Sequence, residues 1–150
     1  MEIDIGDIKR LREETAASIT DCKRALEESS GDYKKALLWL RKHGIEKAGK
    51  KADRKTSQGL INCYIHQNDR IGAMVEILCE TDFVARTSEF KSLAHEIAMQ
   101  IASMNPKDVD SLLKQEYIRD ASKTIGSLIK ETIAKLGENI AVKEFRRFEI

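Results

Sequence analysis

A change of period constrains this chain most. Through residue 44, apolar residues recur at three- and four-residue spacing, as on one face of a helix. After Gly59 the pattern switches: Leu60-Ile61-Asn62-Cys63-Tyr64-Ile65-His66 and Ile71-Gly72-Ala73-Met74-Val75-Glu76-Ile77-Leu78-Cys79 are rich in β-branched residues and bracket a polar Gln67-Asn68-Asp69 turn. Helical spacing returns near Ser88, and Ile140–Ile150 again has strand composition. This order predicts an α+β fold: an N-terminal three-helix bundle, then a small antiparallel three-stranded sheet with helices on one face.

Local signals place the elements. Asp7 is expected to cap a first helix carrying Ile8, Leu11 and Thr15 on one face. Ser18 or Thr20 caps a second, with Cys22, Ala25 and Leu26 inward, and Gly31 ends it in a left-handed conformation. Asp32 caps a third with Tyr33, Ala36, Leu37 and Leu40 inward, stopped by Gly44. In the hairpin, pairing 65 with 71, 63 with 73 and 61 with 75 collects Ile61, Cys63, Ile65, Ile71, Ala73, Val75 and Ile77 on one face. That register separates Cys63 from Cys79 along the ladder and argues against a disulfide. Further helices are expected over 88–104 (Phe90, Leu93, Ala94, Ile97, Ile101 and Met104 inward), 110–122 and 124–136, the last closed by Gly137. A small sheet of this kind keeps two edges and an open face for a partner chain.

Charge marks the organisation. Residues 41–58 hold Arg41, Lys42, Lys47, Lys50, Lys51, Arg54 and Lys55 against Glu46 and Asp53, while the flanking segments are mildly acidic and the whole chain is +1. The expected division is a bundle over 1–44, a basic connector over 45–58 and an α+β core over 59–150. The longest apolar run, Ala36–Leu40, is far below the ~20 residues of a membrane helix. The acidic start, Met1-Glu2-Ile3-Asp4-Ile5-Gly6-Asp7, has no secretory h-region, and three scattered cysteines suit a reducing compartment. A cytoplasmic address is expected, with no membrane association.

No phosphate loop, dinucleotide fingerprint, nucleophile elbow or zinc-protease helix is present, and His43, His66 and His95 are too scattered for a local metal site. Cys22 falls on an inner helix face, as a buried inert thiol, and the Glu13-Glu14 and Glu27-Glu28 pairs sit on helix surfaces. Neither catalysis nor a cofactor nor a bound metal is expected. One segment stands apart: Glu80-Thr81-Asp82-Phe83-Val84-Ala85-Arg86, leaving the second strand and entering a helix with one of the four Phe residues. Either Phe83 folds back as a lid while Asp82 caps the helix, or the pair forms a projecting tip suited to insertion into another protein. The pattern leaves both open.

Several blocks together resemble the elongation factor Ts family. They are Leu11-Arg12-Glu13-Glu14-Thr15 through Asp21-Cys22-Lys23-Arg24-Ala25-Leu26, Gly31-Asp32 with Ala36 through Gly44, the 80–86 corner, and Lys135-Leu136-Gly137-Glu138-Asn139-Ile140 followed by Phe145, Arg147, Phe148 and Glu149. The resemblance is collinear over nearly the whole chain. It implies a guanine-nucleotide exchange factor for elongation factor Tu in translation elongation, acting by protein binding alone. It further implies an N-terminal bundle similar to a ubiquitin-associated domain, which docks on the nucleotide domain of the GTPase. Thr81, Asp82, Phe83 and Val84 would disturb its magnesium site, the Phe as a wedge. Arg12, Ile19 and Thr20 would contribute contacts from the bundle.

The chain departs from that family in two places. Thr15-Ala16-Ala17-Ser18-Ile19-Thr20 stands where members usually have Thr-Gly-Ala-Gly-Met-Met, and Leu112-Leu113-Lys114-Gln115-Glu116-Tyr117 runs directly into the closing block. The second half of the core found in longer members is thus missing, and a lone half-core with an open sheet is expected to pair as a homodimer. The rivals are a nucleic-acid module using the basic 41–58 segment, which lacks interleaved aromatics, and a ubiquitin-type interaction domain, which leaves the Asp82-Phe83 corner unexplained. Direct nucleic-acid binding is not expected.

Overall fold

A computed structural model describes residues 3–150; Met1 and Glu2, which open the acidic start, lie outside the described residues. The first three helices are α1 (Ile5–Thr15), α2 (Ile19–Glu28) and α3 (Tyr33–Gly49). They enclose a small apolar cluster of Leu11, Cys22, Ala25, Leu26, Ala36 and Leu40, matching the expected inward faces. Ser18 caps α2 and Asp32 caps α3, each side chain accepting from a backbone N–H three residues on. The cap of α1 is Asp4, which accepts from Gly6 N–H at 2.9 Å, while Asp7 sits one turn further in. At the end of α2 the left-handed cap falls on Ser30 as well as Gly31, with Gly31 N–H donating to Leu26 O at 2.9 Å and Ser30 N–H to Glu27 O at 3.2 Å.

Gly44 does not stop α3, which continues to Gly49. A Cβ at Gly44 would lie 3.1 Å from the Ala134 Cβ, so this glycine marks where α3 crosses close to α7 (Ile125–Leu136). Ala48, near the end of α3, already belongs to the larger core. The basic stretch is therefore helical for its first half, and only residues 50–57 bridge α3 to β1 (Gln58–Ile65).

Strand β1 pairs antiparallel with β2 (Ile71–Cys79), which pairs antiparallel with β5 (Ile140–Glu149), giving the order β1-β2-β5. Helix α5 (Ser88–Met104) packs on β1 and β2. Phe90, Ile97 and Ile101 of α5 are buried with Val75 and Ile77 of β2. Met104, expected inward, is half exposed at the last turn. Gly59 lies inside β1 with φ +154°, and a Cβ there would meet Ile77 O at 2.1 Å, so no side chain fits.

The hairpin register is one residue away from the sequence expectation: Ile65 faces Gly72, Cys63 faces Met74 and Ile61 faces Glu76. His66 N–H donates to Ile71 O at 2.9 Å and Asp69 is left-handed, so four residues turn the chain rather than five. Both faces of β1 carry apolar residues, which leaves its register undetermined by pattern. Loop length decides it, and Ile61, Cys63 and Ile65 consequently point away from the core. All three cysteines are free, as the separation of Cys63 from Cys79 foretold.

The segment 110–122 is not one helix. It forms α6 (Val109–Lys114) and a hairpin of β3 (Glu116–Tyr117) and β4 (Asp120–Thr124). The reason is a buried side chain on α5: Gln100 Nε2 donates to Glu116 O at 3.0 Å and its Oε1 accepts from Ile118 N–H at 3.0 Å. These bonds take up backbone groups that a continuing helix would have used. Helix α7 follows, capped by Thr124 and closed by left-handed Gly137 as expected.

Candidate partner-binding corner

Between β2 and α5 the chain makes a single helical turn, α4 (Asp82–Ala85), capped by Thr81 rather than by Asp82. Val84 and Ala85 pack into the core at 9% and 6% exposure, whereas Phe83 stands 88% exposed. Phe83 is thus a projecting tip and not a lid. Beside it, exposed Asp82 pairs with Arg86 one turn on. Of the four residues expected to act here, Asp82 and Phe83 face solvent, Thr81 is half-buried at the cap and Val84 is buried.

The corner is tied to a distant loop. Thr81 N–H donates to Glu138 Oε1 at 2.9 Å and Thr81 Oγ1 donates to Glu138 Oε2 at 2.7 Å. Next to it, Asn139 N–H donates to Glu80 Oε1 at 2.7 Å, and the Asn139 amide donates to Ala52 O at 3.3 Å and Arg54 O at 2.9 Å. Arg54 in turn lies 3.6 Å from Glu80. Three segments far apart in sequence therefore meet behind Phe83. Burial pushes the Cys79 thiol up, with the Glu138 charge adding to it, so this cysteine is a packed thiol rather than a reactive one.

Arg12, Ile19 and Thr20 lie around the α1–α2 turn, all exposed, with Ile19 at 56%. Ala16 closes α1 at φ +55°, a left-handed conformation that a side chain disfavours. Below this turn Lys47 Nζ donates to Asp21 Oδ2 at 2.8 Å, which holds the Asp21 carboxyl below the usual carboxylate range. A cleft of ≈ 340 Å³ between the turn, α3 and α7 is lined in part by Glu14, Asp21, His43, Lys47 and Lys135. The Cys22 thiol of the bundle is pushed up by burial, as its inner-face position predicts.

Sequence reasoning missed two things. Glu138 and Asn139 carry no local signal for their contacts, because their partners lie more than fifty residues away. The second was which residues fill the expected open face of the sheet: Ile61, Ile65, Met74 and Phe148 are exposed there, and a shallow groove of ≈ 230 Å³ lined in part by Cys63, Ile65, Met74, Phe148 and Ile150 crosses it. Two-sided apolar strands were the available clue. Among the described residues no helix is long and apolar enough to cross a membrane.

The family model for elongation factor Ts matches residues 80–150, beginning at the corner and ending with β5. Elongation factor Ts of Oleidesulfovibrio alaskensis is 44% identical over 188 aligned residues, covering 95% of this chain and 95% of the relative. That of Coprothermobacter proteolyticus is 43% identical over 195, covering 100% and 99%. Both alignments are longer than the 150 residues of this chain, so these relatives hold residues within the matched span that it lacks. Elongation factor Ts of a Nostoc species is 46% identical over 149 residues, which cover 99% of this chain and 47% of the relative. Identity of this extent, running from the bundle through the corner to the last strand, shows that the chain belongs to the elongation factor Ts family.

Proposed function

We propose that this chain is a guanine-nucleotide exchange factor for elongation factor Tu, working in the cytoplasm during translation elongation. The observation that carries the reading is Phe83, a large aromatic side chain held 88% exposed on a capped turn whose neighbours are buried. Exposing such a ring in the free protein is unfavourable, and inserting it into a partner recovers that burial. Phe83 is the wedge, Asp82 disturbs the contacts that support magnesium in the GTPase, and Thr81 and Val84 hold both in place.

The factor makes and breaks no covalent bond. It binds the nucleotide-free GTPase more tightly than the nucleotide-bound form, and linkage requires that it weaken nucleotide binding by the same coupling free energy. Magnesium neutralises phosphate charge, so dislodging it removes a large local attraction and lets GDP leave for GTP to enter. The bundle docks through Arg12, Ile19 and Thr20, residues 50–57 link its third helix to the core, and the core (59–150) presents the wedge. The apolar outer face of the sheet, with Ile61, Ile65 and Phe148 exposed, supports pairing of two copies. A monomer in sedimentation at micromolar concentration would end the dimer proposal.

The test is release of fluorescent GDP from elongation factor Tu with magnesium present. Wild type accelerates release, and Phe83→Ala, still folded, loses roughly thirtyfold or more of that acceleration, the equivalent of one aromatic hot spot. Equal acceleration by both proteins would return Phe83 to a passive role; no acceleration by wild type would overturn the exchange function.

A further inference from the structure

We infer that Glu138 is the positioning residue of the corner, its carboxylate setting the Thr81 cap so that α4 forms and Phe83 is held outward. The inference deepens the exchange reading and rests on it for its functional consequence; its structural part can be tested without any partner.

A helix of one turn cannot hold itself, because each backbone bond it gains is outweighed by the residues that must be ordered. Helix α4 has four residues and gains buried area only from Val84 and Ala85. At its end Thr87 Oγ1 donates to Val84 O at 2.8 Å and on its exposed side Arg86 pairs with Asp82; at its start stands the cap. Thr81 Oγ1 accepts from Val84 N–H at 3.4 Å, a long bond, and Thr81 O accepts from Ala85 N–H at 3.3 Å. A hydroxyl able to rotate would serve this cap only part of the time. Glu138 removes the ambiguity: an ionised carboxylate only accepts, so the Thr81 hydroxyl hydrogen must point at Oε2 and its lone pairs are left for Val84. The second carboxylate oxygen takes the Thr81 N–H, fixing the residue on which the turn begins. These are charge-assisted bonds in a half-buried site, the stronger kind.

Glu138 is itself well placed to act as a fixed point. It follows Gly137, the left-handed end of α7, and precedes Asn139, whose main-chain and side-chain N–H groups bind Glu80, Ala52 and Arg54. The loop is thus pinned on both sides of the carboxylate. A wedge that must displace groups in another protein loses leverage for every degree of freedom ordered only as it inserts, so holding it in advance serves exchange directly.

The experiment combines amide hydrogen exchange on the free protein with fluorescent GDP release from elongation factor Tu, the factor titrated to saturation. Glu138→Ala should speed exchange of the Val84 and Ala85 amides about tenfold, leaving the α5 interior unchanged, and lower the saturating release rate by about tenfold, as loss of a charge-assisted bond predicts. Its half-saturating concentration should stay within about twofold of wild type, because docking through the bundle is untouched. The Glu138→Ala/Phe83→Ala double variant should be no slower than Phe83→Ala alone, since a residue that acts only through the wedge has nothing further to lose. Glu138→Gln, whose amide can accept from Thr81 N–H and donate to its oxygen, should keep release within about threefold and speed the same two amides by about threefold. That variant carries the test if Glu138→Ala does not fold.

Val84 and Ala85 amides as protected as in wild type would overturn the inference, as would losses that simply add in the double variant. Loosened amides with release unchanged in both Phe83→Ala and Glu138→Ala would support the brace and overturn the wedge role of Phe83 instead.

Discussion

The α1–α2 turn and the 80–86 corner both offer exposed side chains beside a helix cap, yet they are built differently. At the first, Thr15 Oγ1 donates to Leu11 O at 2.6 Å, Ala17 N–H to Thr15 Oγ1 at 3.2 Å and Ser18 accepts from Asp21 N–H at 3.1 Å, all within four residues. At the second, the decisive bonds to Glu138 span 57 residues. A turn whose backbone is held by its own neighbours, with side-chain ties such as Lys47 on Asp21 and Tyr33 on Glu14 around it, can shift with less disturbance to the rest of the fold. A turn braced from across the core moves only if the core gives way. The first suits a docking surface that adjusts to its partner, the second a wedge that makes the partner adjust.

That contrast extends to the two apolar clusters, and the sharpest way to break it is in the bundle core. Leu11 is fully buried there, and Leu11→Ala should cost ~3 kcal/mol. If the bundle is the softer unit, amides of α1 and α2 lose hydrogen-exchange protection while those of α5 keep theirs. Equal loss in α5 would show that α3, crossing α7 at Gly44, makes the chain one cooperative unit.

Titration should separate the two regions from opposite ends of the pH scale. Burial, with the hydrogen bond to Glu96 second, pushes Tyr117 in the core up to about 12. A raised folded value means that its stabilisation is complete below pH 10 and is lost as pH climbs from about 10 to about 12, by at most about 2–3 kcal/mol. Tyr117→Phe should flatten that alkaline limb in a denaturant series. Asp21 in the bundle behaves in the reverse sense. Its folded value is lowered chiefly by the Lys47 hydrogen bond, so its stabilisation is present above pH 4 and fades as pH falls through the folded value. Asp21→Asn should remove the acid dependence of bundle protection and leave α5 unaffected.

The smallest effect sharpens the comparison at the turn itself. Ala16 is held left-handed where a glycine would be free of strain, and Ala16→Gly should stabilise by ~1 kcal/mol, with a melting temperature about 2–4 °C higher. No gain would mean that the turn relaxes around Ala16 at no cost.

Much of the local architecture was legible because its signals are local. Helix α5 has the expected bounds, since Thr87 caps it and Asn105-Pro106 ends it. The bundle faces and the caps at Ser18 and Asp32 follow from three- and four-residue spacing. Where one residue type has two uses, the pattern misled. Gly44 read as a helix stop but gives α3 room against α7, and the amphipathic run over 110–122 concealed a hairpin drawn out by Gln100. Ile61, Cys63 and Ile65 read as core because either face of β1 can be buried. The residues of the corner were legible by resemblance, but their orientation and their brace were not.

By itself, then, the sequence determined most of the helices and the three main strands, where most caps fall and to which family the chain belongs, because periodicity and short motifs act over a few residues. Only the tertiary structure decided the strand register, the outward Phe83 and its tie to Glu138. Each depends on which distant groups meet when the core closes, and a buried donor or acceptor must find its partner wherever in the chain that partner lies.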